Sequence, residues 1–205
     1  MLNNVINNFI KLNKTKINRS KNKNKILILD RSLHDAIIRS SISSIVFNEI
    51  FDCYPYVLTN KKLNNWQIKV YQSFGIEKFI NCGTILSMIN SPIITLVSTY
   101  YLLISLFKLL FKDFQWFIDK FSINDIECGD LIYDGYIRDK LRFLNPKFYN
   151  PNFIIILYKS IFNILFISRI LHKKKIKLVI CNSTSSASIS SLGFRVASKL
   201  NIPIF

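Results

Sequence analysis

The stretch Lys25-Ile26-Leu27-Ile28-Leu29-Asp30 decides the fold of this 205-residue chain. Its four consecutive apolar residues, with a charged residue at each end, are typical of a strand that is buried on both faces of a parallel sheet. A polar loop follows, and the residues up to Phe51 have the pattern of a helix. We therefore interpret the stretch as the first strand of a βαβ unit.

The same alternation of short apolar runs and helical segments continues along the chain. Further strands are predicted at 56–59, 78–81 and 177–182 and from 202 onward, and helices at 64–74, 84–121 with a break at Pro92, 152–175 and 188–200. Residues 126–138 are expected to combine loop and strand. This order predicts the α/β class, with a Rossmann-like, mainly parallel sheet and flanking helices over residues 25–205. Residues 1–24 read as a basic, Asn/Lys-rich leader.

The composition is apolar and strongly basic. Half of the residues are hydrophobic, which excludes a wholly disordered chain, and the formal net charge is +16. Such a charge suits nucleic acid, anionic lipid or a phosphate-bearing substrate. Lys, Asn, Ile, Phe and Tyr, which have AT-rich codons, are all abundant, so we favour genome composition as the source of the charge.

Cysteine usage and the start of the chain indicate the compartment. The four cysteines are far apart and form no CxxC pair, so no zinc or other metal site is expected and a reducing cytoplasm is the simplest setting. The first residues contain no long apolar core of a signal peptide.

Two apolar segments leave a membrane alternative open. Residues 93–111 contain Lys108 as their only charge, and residues 153–171 contain Lys159 and Arg169. Polar stripes argue for soluble crossover helices that cover a sheet and keep one wet edge. The members of these stripes are Thr95, Ser98, Thr99, Ser105, Lys108 and Lys112 in the first segment, and Lys159, Ser160, Asn163, Arg169 and Lys173 in the second. Anchoring through the two segments, or lying on the membrane surface, is the alternative.

The loop after the first strand lacks the glycines of a dinucleotide fingerprint, and no Walker sequence occurs, so nicotinamide, flavin and P-loop chemistry are not expected. In that loop His34 could act as a base or bind an acceptor hydroxyl, although a single loop histidine is more often simply exposed. Asp35 suits a helix cap better than a catalytic role.

Two further segments carry candidate ligand-binding residues. Asp130, Tyr133, Asp134 and Arg138 could hydrogen-bond a polyhydroxylated ligand, but a structural turn, in which Asp130 caps backbone amides and Arg138 pairs with Asp134, is the better physical interpretation. The hydroxyls of Ser183, Thr184 and Ser185 precede a helix and could hold an anion or a sugar. Simple capping by Ser186 or Ser188 explains this second segment equally well.

The segments GDLIYDGYIR (129–138) and VICNSTSSASISSLGFRVASKLNIPIF (179–205) resemble bacterial capsular and surface polysaccharide biosynthesis proteins of the GT-B glycosyltransferase type. The resemblance covers residues 25–205. It implies the amino-terminal one of two Rossmann-like domains, which faces a glycan or lipid-linked acceptor. Asn182 stands where these proteins often have histidine or serine, and this departure argues against a catalytic role for its loop.

The resemblance also implies a division of labour. A nucleotide sugar is expected to bind to a second domain, so this chain is expected to hold no cofactor and to be inactive alone. Because a predicted strand only begins at Ile202, we expect the domain to continue past Phe205.

We further expect a cytoplasmic protein that can associate with the inner membrane surface. A nucleic-acid-binding module ranks last, because aromatic residues do not interleave with the basic leader.

Overall fold

The computed structural model describes residues 24–30, 34–140, 148–181 and 188–205, and the side chains in these ranges except those of residues 34, 35, 139 and 140. The strands are β1 (Asn24–Leu29), β2 (Cys53–Thr59), β3 (Lys78–Asn81), β4 (Ser122–Ile123), β5 (Ile126–Glu127) and β6 (Ile176–Cys181). The helices are α1 (His34–Phe51), α2 (Asn65–Ser73), α3 (Ile85–Ile89), α4 (Pro92–Leu109), α5 (Phe114–Lys120), α6 (Gly129–Lys140), α7 (Pro151–Lys174) and α8 (Ile189–Lys199).

Four strands form an all-parallel sheet in the order β3-β2-β1-β6. In the centre of the sheet, Leu27 of β1 is opposite Tyr56 of β2 on one side and Val179 of β6 on the other. Beyond β6, Ile204 forms a parallel bridge with Val179, as expected for the start of a further strand. The α/β class predicted from the sequence is therefore confirmed, and the strand order is consistent with a Rossmann-like sheet.

The central strand β1 is buried on both faces, as its unbroken apolar run predicts. Leu27 and Leu29 belong to one hydrophobic cluster, which includes Ile161 of α7 and Leu192 of α8. Ile26 and Ile28 belong to the opposite cluster, formed with residues of α1 and α2. Since successive side chains of a strand point to opposite faces, this division places α1 and α2 on one side of the sheet and α7 and α8 on the other.

Strand β2 begins three residues before the predicted start at Tyr56. The added residues include Pro55, which lacks an N–H group and is unfavourable in the middle of a sheet. Strand β3 pairs with β2 only from Tyr56 onward, so Pro55 lies where β2 has a neighbour on one side only. The proline is tolerated for this reason.

The predicted break in the helical region 84–121 is confirmed at Pro92, which occupies the first turn of α4. Helix α3 precedes it and begins at a capping box, in which the Thr84 side chain accepts a hydrogen bond from the Ser87 N–H at 3.2 Å. Helix α5 follows and begins after Asp113, whose carboxylate accepts a hydrogen bond from the Trp116 N–H at 2.7 Å.

The prediction of mixed loop and strand at 126–138 is wrong for most of its length, because residues from Gly129 onward form helix α6. Only Ile126 and Glu127 are extended, as one strand of an antiparallel hairpin. Asn124 and Asp125 make the turn of this hairpin with φ of 50° and 59°. Asparagine and aspartate tolerate this left-handed conformation better than most residues, so the tight turn forms without glycine.

The expectation that α4 covers a sheet and turns a polar stripe to solvent is also wrong. Helix α4 packs mainly on α7, and its contact with the strands of the sheet is at most marginal. Of the predicted stripe, Ser98 and Ser105 are buried and only Thr99, Lys108 and Lys112 are exposed. The outward face is instead apolar, with Leu96, Leu103 and Leu110 among its exposed residues.

Helices α4 and α7 are both long and apolar enough to cross a membrane, which by itself is weak evidence for a span. Half of the most apolar part of α7 is buried inside the molecule, as in the core helix of a soluble protein, whereas only 22% of α4 is buried. The two apolar segments of the sequence therefore differ in their surroundings: α7 belongs to the core, and α4 presents most of its surface outward.

Candidate functional site

A cleft of about 530 Å³ opens where the carboxyl ends of the parallel strands meet helices α6 and α7. In sheets of this type, ligands bind outside the carboxyl ends of the strands. The lining residues come from the segments after β2 and β3, from α6, from the first half of α7 and from the start of α8. They are Asn60, Lys61, Gly83, Gly135, Arg138, Ile156, Lys159, Ser160, Asn163 and Ser188.

The segment after β3 meets α7 at the wall of this cleft. Asn163 of α7 accepts a hydrogen bond through Oδ1 from the Cys82 thiol at 3.1 Å. A Cβ atom on Gly83 would lie 2.8 Å from the same oxygen, and the φ of Gly83 is 70°. Only glycine combines this backbone conformation with so close an approach, so Gly83 brings the end of β3 directly against the polar side of α7. Burial raises the pKa of the Cys82 thiol, which remains protonated and acts here as a donor.

Three cations line the cleft, and no carboxylate is among its lining residues within the described part of the chain. Arg138 is held by Asp134 one helical turn earlier, with 2.8 Å between Nε and Oδ1. Lys61 follows a local turn in which its N–H donates to the Thr59 hydroxyl at 3.3 Å. Together with Lys159, these side chains favour a negatively charged ligand.

The predicted candidates of the segment 129–138 do not converge on one site. The pairing of Arg138 with Asp134 is confirmed, but it lies within a helix and not in the turn that we expected. Asp130 forms an ion pair with Arg195 of α8. The ring of Tyr133 packs 5.2 Å from the ring of Phe114 in α5. Of these four residues, only Arg138 lines the cleft.

Asp130 and its neighbours instead join three elements. Arg195 donates through Nη1 to the Glu127 carbonyl oxygen at 2.8 Å and through Nη2 to the Asp130 carboxylate. This fork connects α8 with β5 and with the first turn of α6. Because both acceptors precede the cleft-lining part of α6, the fork contributes to the position of that helix.

Gly129 allows α6 to begin in direct contact with α5. A Cβ atom at Gly129 would lie 1.8 Å from the carbonyl oxygen of Phe117, a position that no side chain can occupy. The preceding Cys128 is fully buried, and burial raises the pKa of its thiol to about 12, with smaller and opposing effects of Arg195 and Asp130. The glycine of this motif therefore has a packing role.

The remaining candidates fall at or outside the limits of the described residues. Helix α1 begins at His34, so Asp35 lies within the first turn of the helix, whereas a capping residue would precede the helix. The side chains of His34 and Asp35 lie outside the described part of the chain. Ser183, Thr184 and Ser185 lie outside the described residues. The capping role of Ser188 is confirmed, since its hydroxyl accepts a hydrogen bond from the Ser191 N–H at 3.2 Å.

A buried polar pair lies directly after β1. Asp30 is fully buried, and its carboxylate accepts a hydrogen bond from the Tyr71 hydroxyl at 2.8 Å. Its N–H donates to the Leu58 carbonyl oxygen at 2.8 Å and so continues the sheet by one residue. Burial, with the nearby Asp30 carboxylate as the next cause, raises the pKa of Tyr71. The hydrogen bond therefore connects the end of β1 with α2.

Because ligands bind at the carboxyl ends of parallel strands, the sequence pointed to the segments after Thr59 and Asn81, which contain the cleft residues Asn60, Lys61 and Gly83. It did not identify those three residues individually, and it missed three further cleft residues, Lys159, Ser160 and Asn163. A signal was present for the last three, which belong to the polar stripe of α7. We interpreted that stripe as a wet edge. The structure shows that its amino-terminal half borders a concave space, and only the sheet order brings the segments after β2 and β3 to the same place.

Within the described residues, no three His, Cys, Asp or Glu side chains group closely enough to hold a metal ion. Comparison of the chain with protein-family models, curated proteins and solved structures finds no match.

Proposed function

We propose that this chain forms the acceptor side of a bacterial glycosyltransferase that acts in capsular or surface polysaccharide biosynthesis. The observation that carries the proposal is the basic cleft at the carboxyl edge of the parallel sheet, lined by Lys61, Arg138 and Lys159. The likeness of residues 129–138 and 179–205 to GT-B enzymes supports the same assignment.

The cleft suits an acceptor that carries both sugar and phosphate. Its cations would hold a phosphate or pyrophosphate group, and Arg138 would do so with a geometry stabilised by Asp134. Ser160, Asn163 and Ser188 supply hydroxyl and amide groups of the kind that hydrogen-bond sugar hydroxyls. A lipid-linked glycan combines these two chemistries in one molecule.

The proposal divides the reaction between two domains. The described residues would bind and orient the acceptor, and a nucleotide sugar would bind to a second domain across the cleft. In this arrangement the chain contributes positioning and charge, and it has no transfer activity by itself. No residue described here is assigned as the base that activates the acceptor hydroxyl.

Deleting the gene in its native host and analysing the surface polysaccharide tests this proposal. We expect the polysaccharide to be lost or shortened and to be restored by the wild-type gene. A gene that carries Arg138→Gln and Lys159→Gln together should restore it poorly, because two of the cleft cations are removed. Lys173→Gln, which removes an exposed lysine from the last turn of the same helix α7, serves as the matched control and should restore it fully.

Two results would oppose the proposal. An unchanged polysaccharide after gene deletion would show that the chain is not required for its synthesis. Full restoration by the cleft variant would show that the cleft cations are not required for the function. Thermal unfolding of the purified variants establishes that each is folded, so that poor restoration reflects the loss of cleft charge.

A further inference from the structure

The outer face of α4 is an apolar surface that the described residues leave uncovered. Leu96, Leu103 and Leu110 follow one another at seven-residue intervals and are 71%, 62% and 78% exposed. Further exposed apolar residues of α3, α4 and the segment after it are Ile85, Leu86, Ile89, Ile93, Val97, Tyr100, Phe107 and Phe111. Soluble proteins rarely expose contiguous apolar surface on this scale unless it binds a partner.

Charge at the edge of this face indicates the chemistry of the partner. Residues 84–112 contain Lys108 and Lys112 and no acidic residue. Both lysines are exposed, and the Lys112 ammonium lies 5.8 Å from the centre of the Trp116 ring. Lysines beside a stripe of leucine and aromatic residues are the pattern of helices that lie in the interface of an anionic bilayer.

An apolar groove continues this face toward α7. It has a volume of about 740 Å³ and runs between the carboxyl-terminal half of α4 on one side and, on the other, Phe148 and Tyr149 before α7 and Ile154 in its first turn. A groove lined by leucine and aromatic side chains accepts hydrocarbon. Acyl chains of the outer lipid layer would therefore find apolar contacts on both the helix face and the groove.

We infer that the outer face of α4, with Lys108 and Lys112 at its edge, docks on an anionic lipid bilayer and lies in the plane of its surface. The inner face of the helix explains why α4 lies on the bilayer and does not cross it. Ile94, Ser98 and Ser105 are buried on that side, where α4 packs on α7. A crossing helix would have to leave α7 and expose its serines to hydrocarbon.

Co-sedimentation of the full chain with lipid vesicles tests this inference. We expect binding to vesicles that contain phosphatidylglycerol and weak binding to phosphatidylcholine alone. The triple variant Leu96→Glu, Leu103→Glu, Leu110→Glu should reduce the partition coefficient about tenfold or more, because it removes three apolar contacts and adds three negative charges. Lys108→Gln with Lys112→Gln should reduce binding to the anionic vesicles alone, by about fivefold for each lysine.

The second exposed apolar stripe of the molecule provides the matched control. Ile42, Val46 and Ile50 of α1 are also exposed, on the opposite side of the sheet. Their replacement by glutamate changes the net charge equally and retains the basic residues 11–25. The partition coefficient of this variant should fall about twofold at most, because its net positive charge is smaller. Equal loss in both triple variants would overturn the inference, because net charge alone would then explain the binding.

Two other occupants of the face give different results. If a second copy covers it, the chain forms a dimer without lipid, the α4 variant is monomeric and the wild type does not bind vesicles. If the helix crosses the bilayer, the bound chain resists extraction with alkaline carbonate. Either result would overturn docking on the surface, whereas release by carbonate supports it.

The vesicle-binding test does not depend on the cleft, so its outcome is separate from that of the proposed glycosyltransferase function.

Discussion

Asp30 is a carboxylate in a position where carboxylates are rare. It is fully buried between the end of the central strand and α2, and the Tyr71 hydroxyl is one of its partners. A buried charge is tolerated only where hydrogen bonds compensate for lost hydration. The sequence showed Asp30 as the polar end of an apolar run, but nothing in the run identified Tyr71, 41 residues later, as its partner.

The hydroxyl of Tyr71 is expected to stabilise the fold measurably. Tyr71→Phe should lower the free energy of unfolding by about 1–3 kcal/mol near neutral pH, because Asp30 loses one of its buried donors. Equilibrium unfolding in urea measures this difference. Tyr100→Phe, which changes a mostly exposed tyrosine, is the control and should stay within about 0.5 kcal/mol of the wild type.

The same pair predicts a pH dependence. The pKa of Tyr71 in the folded chain is raised above the ordinary value of 10.0, so the unfolded chain releases this proton at lower pH than the folded chain. The stabilisation is complete below pH 10 and declines as the pH rises above it, by up to about 1.4 kcal/mol per pH unit. The difference in unfolding free energy between wild type and Tyr71→Phe should therefore be smaller at about pH 10.5 than at about pH 8. A constant difference would contradict a raised pKa.

At the scale of elements, α6 shows where pattern reasoning fails. The sequence predicts loop and strand at 126–138, and the glycines at positions 129 and 135 indeed lower the helix propensity of this segment. The helix forms because its first residue packs against the Phe117 carbonyl and its first turn binds Arg195. These contacts join residues far apart in sequence, so local propensity could not show them. In contrast, the burial of β1 on both faces was predictable from its uninterrupted apolar run.

Arg195 is expected to contribute more to stability than a simple surface charge. Arg195→Ala should lower the free energy of unfolding by about 1 kcal/mol, because the fork to Glu127 and Asp130 is lost. Lys199→Ala, in the same helix, removes only an exposed pair with Asp125 at 3.9 Å and should change stability by less than about 0.5 kcal/mol.

Urea unfolding of Arg195→Lys separates charge from geometry. Lysine keeps the positive charge but cannot donate in two fixed directions. We therefore expect this variant to resemble Arg195→Ala more than the wild type. If it is as stable as the wild type, the charge alone accounts for the effect and the connection between α8, β5 and α6 is weaker than proposed.

At the scale of the whole molecule, the class of fold and the sheet edge that carries the cleft were predictable, and the full set of residues that line the cleft was not. Alternating strands and helices predict parallel pairing, and all four strands of the sheet were anticipated. The order β3-β2-β1-β6 and the approach of α6 and α7 depend on how the long crossover packs. Lys61, Arg138 and Lys159 come together only through that packing, so no local pattern could group them.

Thiol reactivity provides a test of the whole fold. Cys53, Cys82 and Cys128 are buried, whereas Cys181 is partly exposed, and none of the four forms a disulfide. A thiol reagent at about pH 8 should modify Cys181 first. The other three should react only as the molecule opens, since burial both blocks access and raises their pKa values.

Cys181→Ser is the control for this assignment and should remove the fast phase while leaving the slow phase unchanged. Rapid modification of Cys82 or Cys128 in the native protein would mean that the contact between the end of β3 and α7, or between α5 and α6, opens easily. Peptide mapping after a short exposure identifies which cysteine reacted.

The position of β6 beside β1 has a consequence for synthesis on the ribosome. The strands β1, β2 and β3 and the helices α1 and α2 leave the exit tunnel first and can assemble from neighbouring segments. One edge of β1 is covered only when β6 has been made, and the face that carries Leu27 and Leu29 is covered only when α7 and α8 have been made. Nascent chains that lack these elements therefore present an open parallel edge and an apolar sheet face, which are features that chaperones shield.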